Sequence, residues 1–249
     1  MKKLFTLVLL AVCALGAAAQ YVAAPGTVLE YSMKMQNPET HDSISINAVS
    51  KIISATPGDD GKVTYLCEET ATSPEKALSN TDTTTVVYNP ADHTTFFMMM
   101  DKDKTRQEVI KSIKEMIAQS GQFVSESDLA DMERSITAKG ELSLTLADEM
   151  AEGTKLPNKS LRINVAEKSF SHNLWEGKVL GRESVDTPAG TFDCLKISYV
   201  HKVSTPEGNE RIYVTGWYAH GVGEVKEIQA TKKGETISET ILTALTKPE

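Results

Sequence analysis

Alternation of apolar and polar residues dominates the chain and predicts a mainly β protein. In the segment TVLEYSMKM, every second residue from Leu29 to Met35 is apolar, and the residues between them are polar. A strand with this pattern places one face in a core and the other in solvent. Similar segments recur along the chain between turn-forming residues, so the pattern predicts about ten to twelve strands with hairpin-like connections.

A helical pattern interrupts the strands at about residues 104–138. Thr105 and Glu108 match a capping box, which marks the start of a helix. Apolar residues then recur at helical spacing, namely Val109, Ile110, Ile113, Met116 and Ile117. A second, weaker pattern predicts a helix from about Ser127 to Ala138, ended by Gly140. We expect this insert to pack its apolar side on a sheet.

The fold predicted from these patterns is a large curved antiparallel sheet, either a half-barrel or a flattened sandwich, with the helical insert on one side. Closure or covering is expected because about ten strands in an open sheet would curl or leave exposed edges. Residues 20–249 have a length that suits a single β-rich domain.

The first nineteen residues resemble a secretory signal peptide. Lys2 and Lys3 precede a short apolar run, and Ala17 and Ala19 form the small-residue pattern of a cleavage site. The alternative is lipidation of Cys13, which the bulky Val12 disfavours. No run of residues is long and apolar enough to predict a membrane span. We therefore expect a periplasmic or secreted protein that begins at Gln20.

The charge balance argues against nucleic acid as a partner. Removal of Lys2 and Lys3 leaves 24 of the 26 basic residues against 34 acidic residues, a formal net charge of −10. A surface of this sign repels phosphate backbones and anionic lipid headgroups. The expected partners are a small apolar ligand or another envelope protein.

Two cysteines remain after cleavage, Cys67 and Cys194, and both lie in predicted strands. In an oxidising compartment they could form a disulfide across or between sheets. The ordinary alternative is two buried, reduced thiols that pack as small hydrophobic side chains.

The sequence predicts no catalytic residues, no bound cofactor and no metal site. The five histidines have no spacing typical of zinc ligands, and we expect them in solvated loops. No catalytic serine motif occurs in a suitable context, and Cys194 lacks the electropositive helix start that activates a thiol. The run Phe96–Met100 predicts a strand covered on both faces rather than a copper site, because alternate methionines face opposite sides.

Two compact segments combine aromatic residues with turn-forming residues. In TPAGTFDCLKISY, Pro188 fixes φ for a turn and Gly190 can accept a positive φ. In WYAHGVGEVKE, Gly221 and Gly223 permit a sharp reversal. The segments therefore predict corners of a β-sheet rather than parts of an active site.

Trp217 and Tyr218 precede the second corner, and adjacent residues of a strand point to opposite faces. One aromatic side chain can anchor the core, while the other covers an edge or faces a ligand. Strands that follow each other usually pair or neighbour, so we expect Phe192 and Trp217 to pack into one core.

These two segments resemble an uncharacterised family of secreted bacterial envelope proteins, a domain of unknown function sometimes called TapB-like. The resemblance covers residues 176–228 and rests on the TPAGTF and WYAxGVG turns, with His220 where the family has proline. It implies an exported β protein and supplies no catalytic residues.

Two functions lead on this sequence, and an enzyme, which would need convergent polar groups in a cleft, ranks third. The first is a binding protein that holds an apolar or amphiphilic ligand between sheet and helix, with a cavity beneath residues 105–120. The second is a structural or protein-interaction module of the cell envelope, with a filled core and an exposed aromatic or edge-strand patch.

Overall fold

The structure, a computed structural model, describes residues 20–36, 42–73, 78–121 and 123–248. The predicted signal segment and His41 lie outside these ranges. The strands are β1 (Val28–Gln36), β2 (Ser43–Pro57), β3 (Val63–Ser73), β4 (Leu78–Asn89), β5 (Thr94–Met100), β6 (Thr137–Ala147), β7 (Lys159–Val165), β8 (Lys168–Thr187), β9 (Gly190–Thr205), β10 (Gly208–Ala219), β11 (Gly223–Ala230) and β12 (Thr236–Thr246).

The strands form one closed antiparallel barrel. Each strand pairs with the next along the chain, and β1 pairs with β12 to complete the ring. The prediction of a mainly β protein with a curved antiparallel sheet and a helical insert is confirmed. The curvature goes as far as closure of the ring, which leaves no strand at a free end of the sheet.

Alternation along the strands sorts side chains between the interior and the outer surface of the barrel. On β1, Leu29, Tyr31 and Met33 are buried, and they lie opposite Ser50, Ala48 and Ile46 of β2. A buried cluster continues across the interior to Leu195 and Ile197 of β9. The period-two pattern in the sequence therefore reports the inward face.

The insert contains two helices, α1 (Lys102–Ser120) and α2 (Glu126–Ser135), between β5 and β6. The predicted capping box was wrong, because Asp101 is the N-cap of α1 and accepts hydrogen bonds from the amides of residues 103 and 104. Thr105 lies inside the helix. Helix α2 ends before Ile136, and Gly140 belongs to β6 with a φ of +83°.

The first part of α1 fills a gap in the barrel wall. Strand β5 pairs with β4 only over Val86–Asn89, so the first part of β4 has no strand beside it on that side. Lys104 Nζ donates to the Thr83 carbonyl of β4 at 2.8 Å, and Arg106 Nε donates to the Ile136 carbonyl before β6 at 2.7 Å. The helix thus satisfies and covers backbone groups at these edges.

The methionine-rich run lies on β5 beside this gap. Phe97 is buried in the core, and Met99 and Met100 are half-buried and pack against it. The pairing with β6 shifts between Met98 and Met100, so the alternation of faces is interrupted there.

Residues 20–23 close one end of the barrel. Gln20 Nε2 donates to Tyr65 Oη at 3.0 Å, and the amide of Tyr21 donates to Thr95 Oγ1 at 3.1 Å. The side chains of Tyr21, Val22 and Ala23 belong to the main core cluster. In the described ranges, neither helix combines the length and apolar content that a membrane crossing requires.

Candidate functional site

The two predicted corners are tight connections between paired strands. Pro188 and Ala189 form the turn between β8 and β9, where Thr187 lies opposite Gly190. Gly190 has a φ of +130°. The turn between β10 and β11 holds Gly221 and Gly223 at φ values of +61° and +89°. These glycines therefore have conformational roles, since other residues rarely adopt such angles.

Trp217 and Tyr218 point to opposite faces of β10. Tyr218 lies inside the barrel, and its ring packs against Phe97 with a centroid distance of 5.7 Å. Trp217 lies on the outer face opposite Lys196 and Lys226, whose ammonium groups are 5.0 and 5.7 Å from the indole centroid. The indole is covered by these two side chains, so it does not face an open pocket.

The register separates Trp217 from Phe192, although β9 and β10 pair as predicted. Trp217 lies opposite Lys196, which is four residues from Phe192 along β9. Both aromatic side chains contribute to the large core cluster, Trp217 as a buried member and Phe192 as a half-buried neighbour. The two rings therefore do not lie opposite each other on the paired strands.

Cys67 and Cys194 are buried free thiols, so the structure contains no disulfide between them. They lie on β3 and β9, which are six strands apart in either direction around the ring. A disulfide requires Cα atoms about 4.4–6.8 Å apart. Burial raises the pKa of the Cys194 thiol to about 12, which makes it unreactive.

Two buried glutamates meet inside the barrel, which the alternation along β11 does not predict. Glu224 and Glu227 are only 4% and 3% exposed. They are three residues apart and would face opposite sides of a regular strand. An irregularity in the pairing of β10 with β11 places Tyr218 opposite Glu224 and Trp217 opposite Lys226, so Val225 is the additional residue. This bulge turns both carboxyl groups inward.

Tyrosines from neighbouring strands surround the glutamate pair. The Tyr199 hydroxyl donates to Glu227 Oε2 at 3.4 Å, and Gln229 Nε2 donates to Glu227 Oε1 at 2.8 Å. The Tyr218 hydroxyl interacts with the Glu224 carboxyl group, although Oε1 of Glu224 has no well-oriented partner among the described residues. A β-carbon on Gly216 would come within 3.0 Å of that oxygen, so the glycine makes room for it.

Burial controls the charge of this pair. It raises the pKa of Glu227 to about 7 and that of Glu224 well above the ordinary value, with the charge of Glu227 as a further cause for Glu224. Two carboxyl groups with raised pKa values could exchange protons with a bound substrate. In this structure both carboxyl groups are enclosed by side chains.

Two histidines also converge inside the barrel, which corrects the expectation that the histidines lie in solvated loops. His172 Nδ1 and His201 Nε2 are 3.2 Å apart, and both side chains are buried. Burial lowers the pKa of His201 to about 4 and also lowers that of His172. Both rings are therefore neutral at physiological pH.

A polar cluster holds the N-terminal segment at the barrel end. Arg182 Nη2 donates to Tyr21 Oη at 3.1 Å and to the Asp148 carbonyl at 2.7 Å. The His220 ring packs edge-on against Tyr21 with a centroid distance of 4.4 Å. Burial lowers the pKa of His220 and raises that of Asp148. The residue that replaces the expected proline thus contacts the segment that closes the barrel.

One small cleft opens near the main core. A cleft between β6 and β8 is lined in part by Leu144, Leu156, Leu174 and Tyr199, and has room for about one water molecule. In the part of the chain that the structure describes, no group of three or more His, Cys, Asp or Glu side chains is arranged to hold a metal ion.

The two most exposed large apolar side chains of the described residues lie on the helical hairpin, which we define as residues 102–135 without residue 122. Phe123, between the helices, is 95% exposed, and Met116 on α1 is 61% exposed. Neither the second half of α1 nor any part of α2 contains a fully buried residue. The apolar stripe that was predicted to lie on a sheet does so only through its first part, at Val109 and Ile110.

Ion pairs and hydrogen bonds hold the two helices together. Lys114 Nζ lies 2.5 Å from Glu133 Oε1, and Arg106 Nη2 donates to the Glu133 carbonyl at 2.6 Å. Asp101 and Ser125 cap the starts of α1 and α2. The free amides at both helix starts are therefore hydrogen-bonded, and the two helices are linked to each other. Phe123 and Met116 have no covering surface.

The profile of the DUF3108-like family matches residues 50–242, and the chain belongs to this family. Two crystal structures share its fold, each with 16% sequence identity and alignments that cover 93% of this chain and 100% of the other. One, from Bacteroides fragilis, is provisionally designated an exported protein with a YmcC-like fold and gives a TM-score of 0.63. The other, from Parabacteroides distasonis, is provisionally designated a lipoprotein and gives a TM-score of 0.64. No curated protein matches the chain.

Proposed function

We propose that this member of the DUF3108-like family is an exported envelope protein that acts without catalysis as a protein-interaction module. The helical hairpin is its docking element, and the barrel is the rigid base that carries it. The observation that carries this proposal is the exposure of Phe123, which is 95% accessible between two capped helices. Large exposed aromatic residues on otherwise polar surfaces are typical of binding sites for other proteins.

The location is part of the same proposal. The sequence begins with a segment typical of export, and two proteins with this fold are designated an exported protein and a lipoprotein. A periplasmic or secreted location agrees with both observations. The proposal also includes the finer resemblance to a TapB-like family through the TPAGTF and WYAxGVG turns.

An apolar or amphiphilic ligand between sheet and helix is the weaker alternative. That function predicted a cavity beneath residues 105–120, but the second half of α1 contains no buried residue. Where α1 does meet the barrel, Ile110 is buried and Val109 packs against the core. The first part of α1 therefore packs on the barrel, while Met116 and Phe123 stay exposed and cover no pocket.

Catalysis by the glutamate pair has less support than an interaction role. Glu224 and Glu227 have raised pKa values, but both side chains are almost fully buried. The carboxyl group of Glu227 already accepts hydrogen bonds from Gln229 and Tyr199. A substrate larger than water would have to displace packed core side chains to reach them.

Photo-crosslinking in the native host tests the proposal. Benzoylphenylalanine is placed at position 123 and, as a control, at Ile53, which is 49% exposed on β2. We expect an adduct of defined mass from position 123 alone, and we expect Met116→Asp to reduce it at least about tenfold because it puts a charge into the apolar contact. Equal adducts from both positions, or none from position 123, would overturn the proposal.

A further inference from the structure

A surface on the outside of the barrel groups cations with aromatic residues. We call it the basic wall and define it by Arg162 on β7, Trp175 on β8, Lys202 on β9, and Arg211 and Tyr213 on β10. Asn173, Lys202 and Arg211 lie in one row across three strands, and Trp175, Val200 and Tyr213 form the next row. Arg162 joins through its pairing with Ser171, on the same face of β8.

The cations of the basic wall are free to pair with a partner. Among the described residues, Arg162, Lys202 and Arg211 take part in no ion pair, whereas Lys196 and Lys226 further along the wall are paired with Glu183 and Glu239. The Lys202 ammonium lies 5.3 Å from the centroid of Trp175, which is 36% exposed. This is unusual on a chain with a formal net charge of −8.

The helical hairpin has the complementary chemistry. Its tip, defined as Met116, Phe123, Glu126 and Asp128, combines two exposed apolar side chains with two exposed acids. Glu126 and Asp128 lie in the first turn of α2, three and five residues after Phe123 along the chain. An acidic tip with an aromatic centre fits a basic surface with an aromatic centre in both charge and polarity.

The tip does not occupy the basic wall of its own molecule. Phe123 is almost fully exposed, and Trp175 is exposed as well. We therefore propose, on the basis of the interaction role argued above, that the tip docks on the basic wall of a second copy of this chain. The contact is heterologous, because the two partners use different surfaces, so it leads to rings or open chains of molecules.

Sedimentation velocity of the purified protein, at increasing concentration in low and high salt, tests this inference. We expect association that weakens as salt is added, because exposed charge pairs are screened. Lys202→Glu with Arg211→Glu should weaken association at least about tenfold, and Glu126→Lys with Asp128→Lys should do the same. The matched control is Lys232→Glu with Lys233→Glu in the β11–β12 turn, which makes the same charge change and should leave association unchanged.

A charge exchange gives the decisive comparison. The variant with Lys202→Glu and Arg211→Glu has an acidic wall, and the variant with Glu126→Lys and Asp128→Lys has a basic tip. A mixture of these two variants should associate, although neither associates alone. Melting temperatures close to that of the wild type establish that the variants are folded. A wild type that stays monomeric at all concentrations, or a mixture that does not associate, would overturn the inference. An adduct with a different protein from position 123 would still support the interaction role, so the two proposals can fail separately.

Discussion

The indole nitrogen of Trp217 donates a hydrogen bond of 2.6 Å to Glu183 Oε1 on the outer surface of the barrel. The same carboxylate oxygen lies 3.0 Å from Lys196 Nζ. The hydrogen bonds from Trp217 and Lys196 lower the pKa of Glu183. A buried indole N–H needs a partner of this kind, and the flanking lysine side chains complete its cover. Trp217 is therefore a structural residue of the barrel wall.

Truncation of this indole should destabilise the protein. Trp217→Ala should lower the free energy of unfolding by about 3–5 kcal/mol, as expected when a large buried side chain is removed. Trp175→Ala is the matched control, because Trp175 is exposed, and it should cost less than about 1 kcal/mol. Urea denaturation measures both. A Trp217 variant as stable as the Trp175 variant would contradict the assignment to the wall.

The buried glutamates should make the protein less stable as the pH rises. The pKa of Glu227 is raised from 4.5 to about 7, so the folded state holds a proton that the unfolded state has lost. Its contribution to stability is complete below pH 4.5 and disappears as the pH rises through about 7. Glu227→Gln removes this dependence while it keeps the shape of the side chain.

Urea denaturation between about pH 5 and about pH 8 measures this effect. The stability of the wild type relative to Glu227→Gln should fall by roughly 2 kcal/mol over that range, since one pKa unit corresponds to about 1.4 kcal/mol. Glu239→Gln, at a half-exposed position on β12, keeps Glu227 and is the control, so its stability should follow the wild-type profile. Parallel profiles for the wild type and Glu227→Gln would show that Glu227 is ionised in the folded state.

The histidine pair should have the opposite dependence on pH. The pKa of His201 is lowered from 6.5 to about 4, so its contribution to stability is present above pH 6.5 and is lost as the pH falls towards 4. At about pH 5 the loss amounts to roughly 2 kcal/mol. His201→Gln cannot take up this proton, so its stability relative to the wild type should improve on acidification. NMR titration that found an ordinary pKa for His201 would refute this explanation.

Gly190 should tolerate no branched side chain. Its φ of +130° is strained for other residues, while a β-carbon would meet only Phe192, at 4.0 Å. The expected cost of Gly190→Val, roughly 1–3 kcal/mol, therefore comes from the backbone and not from a clash. Ala189→Val, at the neighbouring turn position without a positive φ, should cost less. Thermal denaturation of both variants measures the difference in stability. Equal melting temperatures for Gly190→Val and Ala189→Val would argue against strain at Gly190.

Local patterns were sufficient for the strands and the corners. Alternation from Leu29 to Met35 predicted the inward face of β1, and that face is the one that packs in the core. Proline and glycine at 188 and 190 predicted the turn between β8 and β9. These features depend on backbone sterics and on a period of two residues, which are properties of a short segment.

Features that depend on register could not be obtained in this way. The spacing of Glu224 and Glu227 places them on opposite faces of a regular strand, and only the bulge opposite Trp217 and Tyr218 turns both inward. His172 and His201 are distant in sequence and meet because β8 pairs with β9. The start of α1 was also misplaced, since Asp101 and Thr105 are both acceptable caps by residue type.

The sequence by itself determined that this chain forms amphipathic antiparallel strands with a helical insert, because the alternation, the turn residues and the helical spacing are local. Only the tertiary structure decided that β1 closes on β12, that Cys67 and Cys194 lie on opposite sides of the ring, and that Phe123 is left uncovered. The physical reason is that closure, register and exposure depend on the summed free energy of contacts between distant segments, which no short stretch of residues contains.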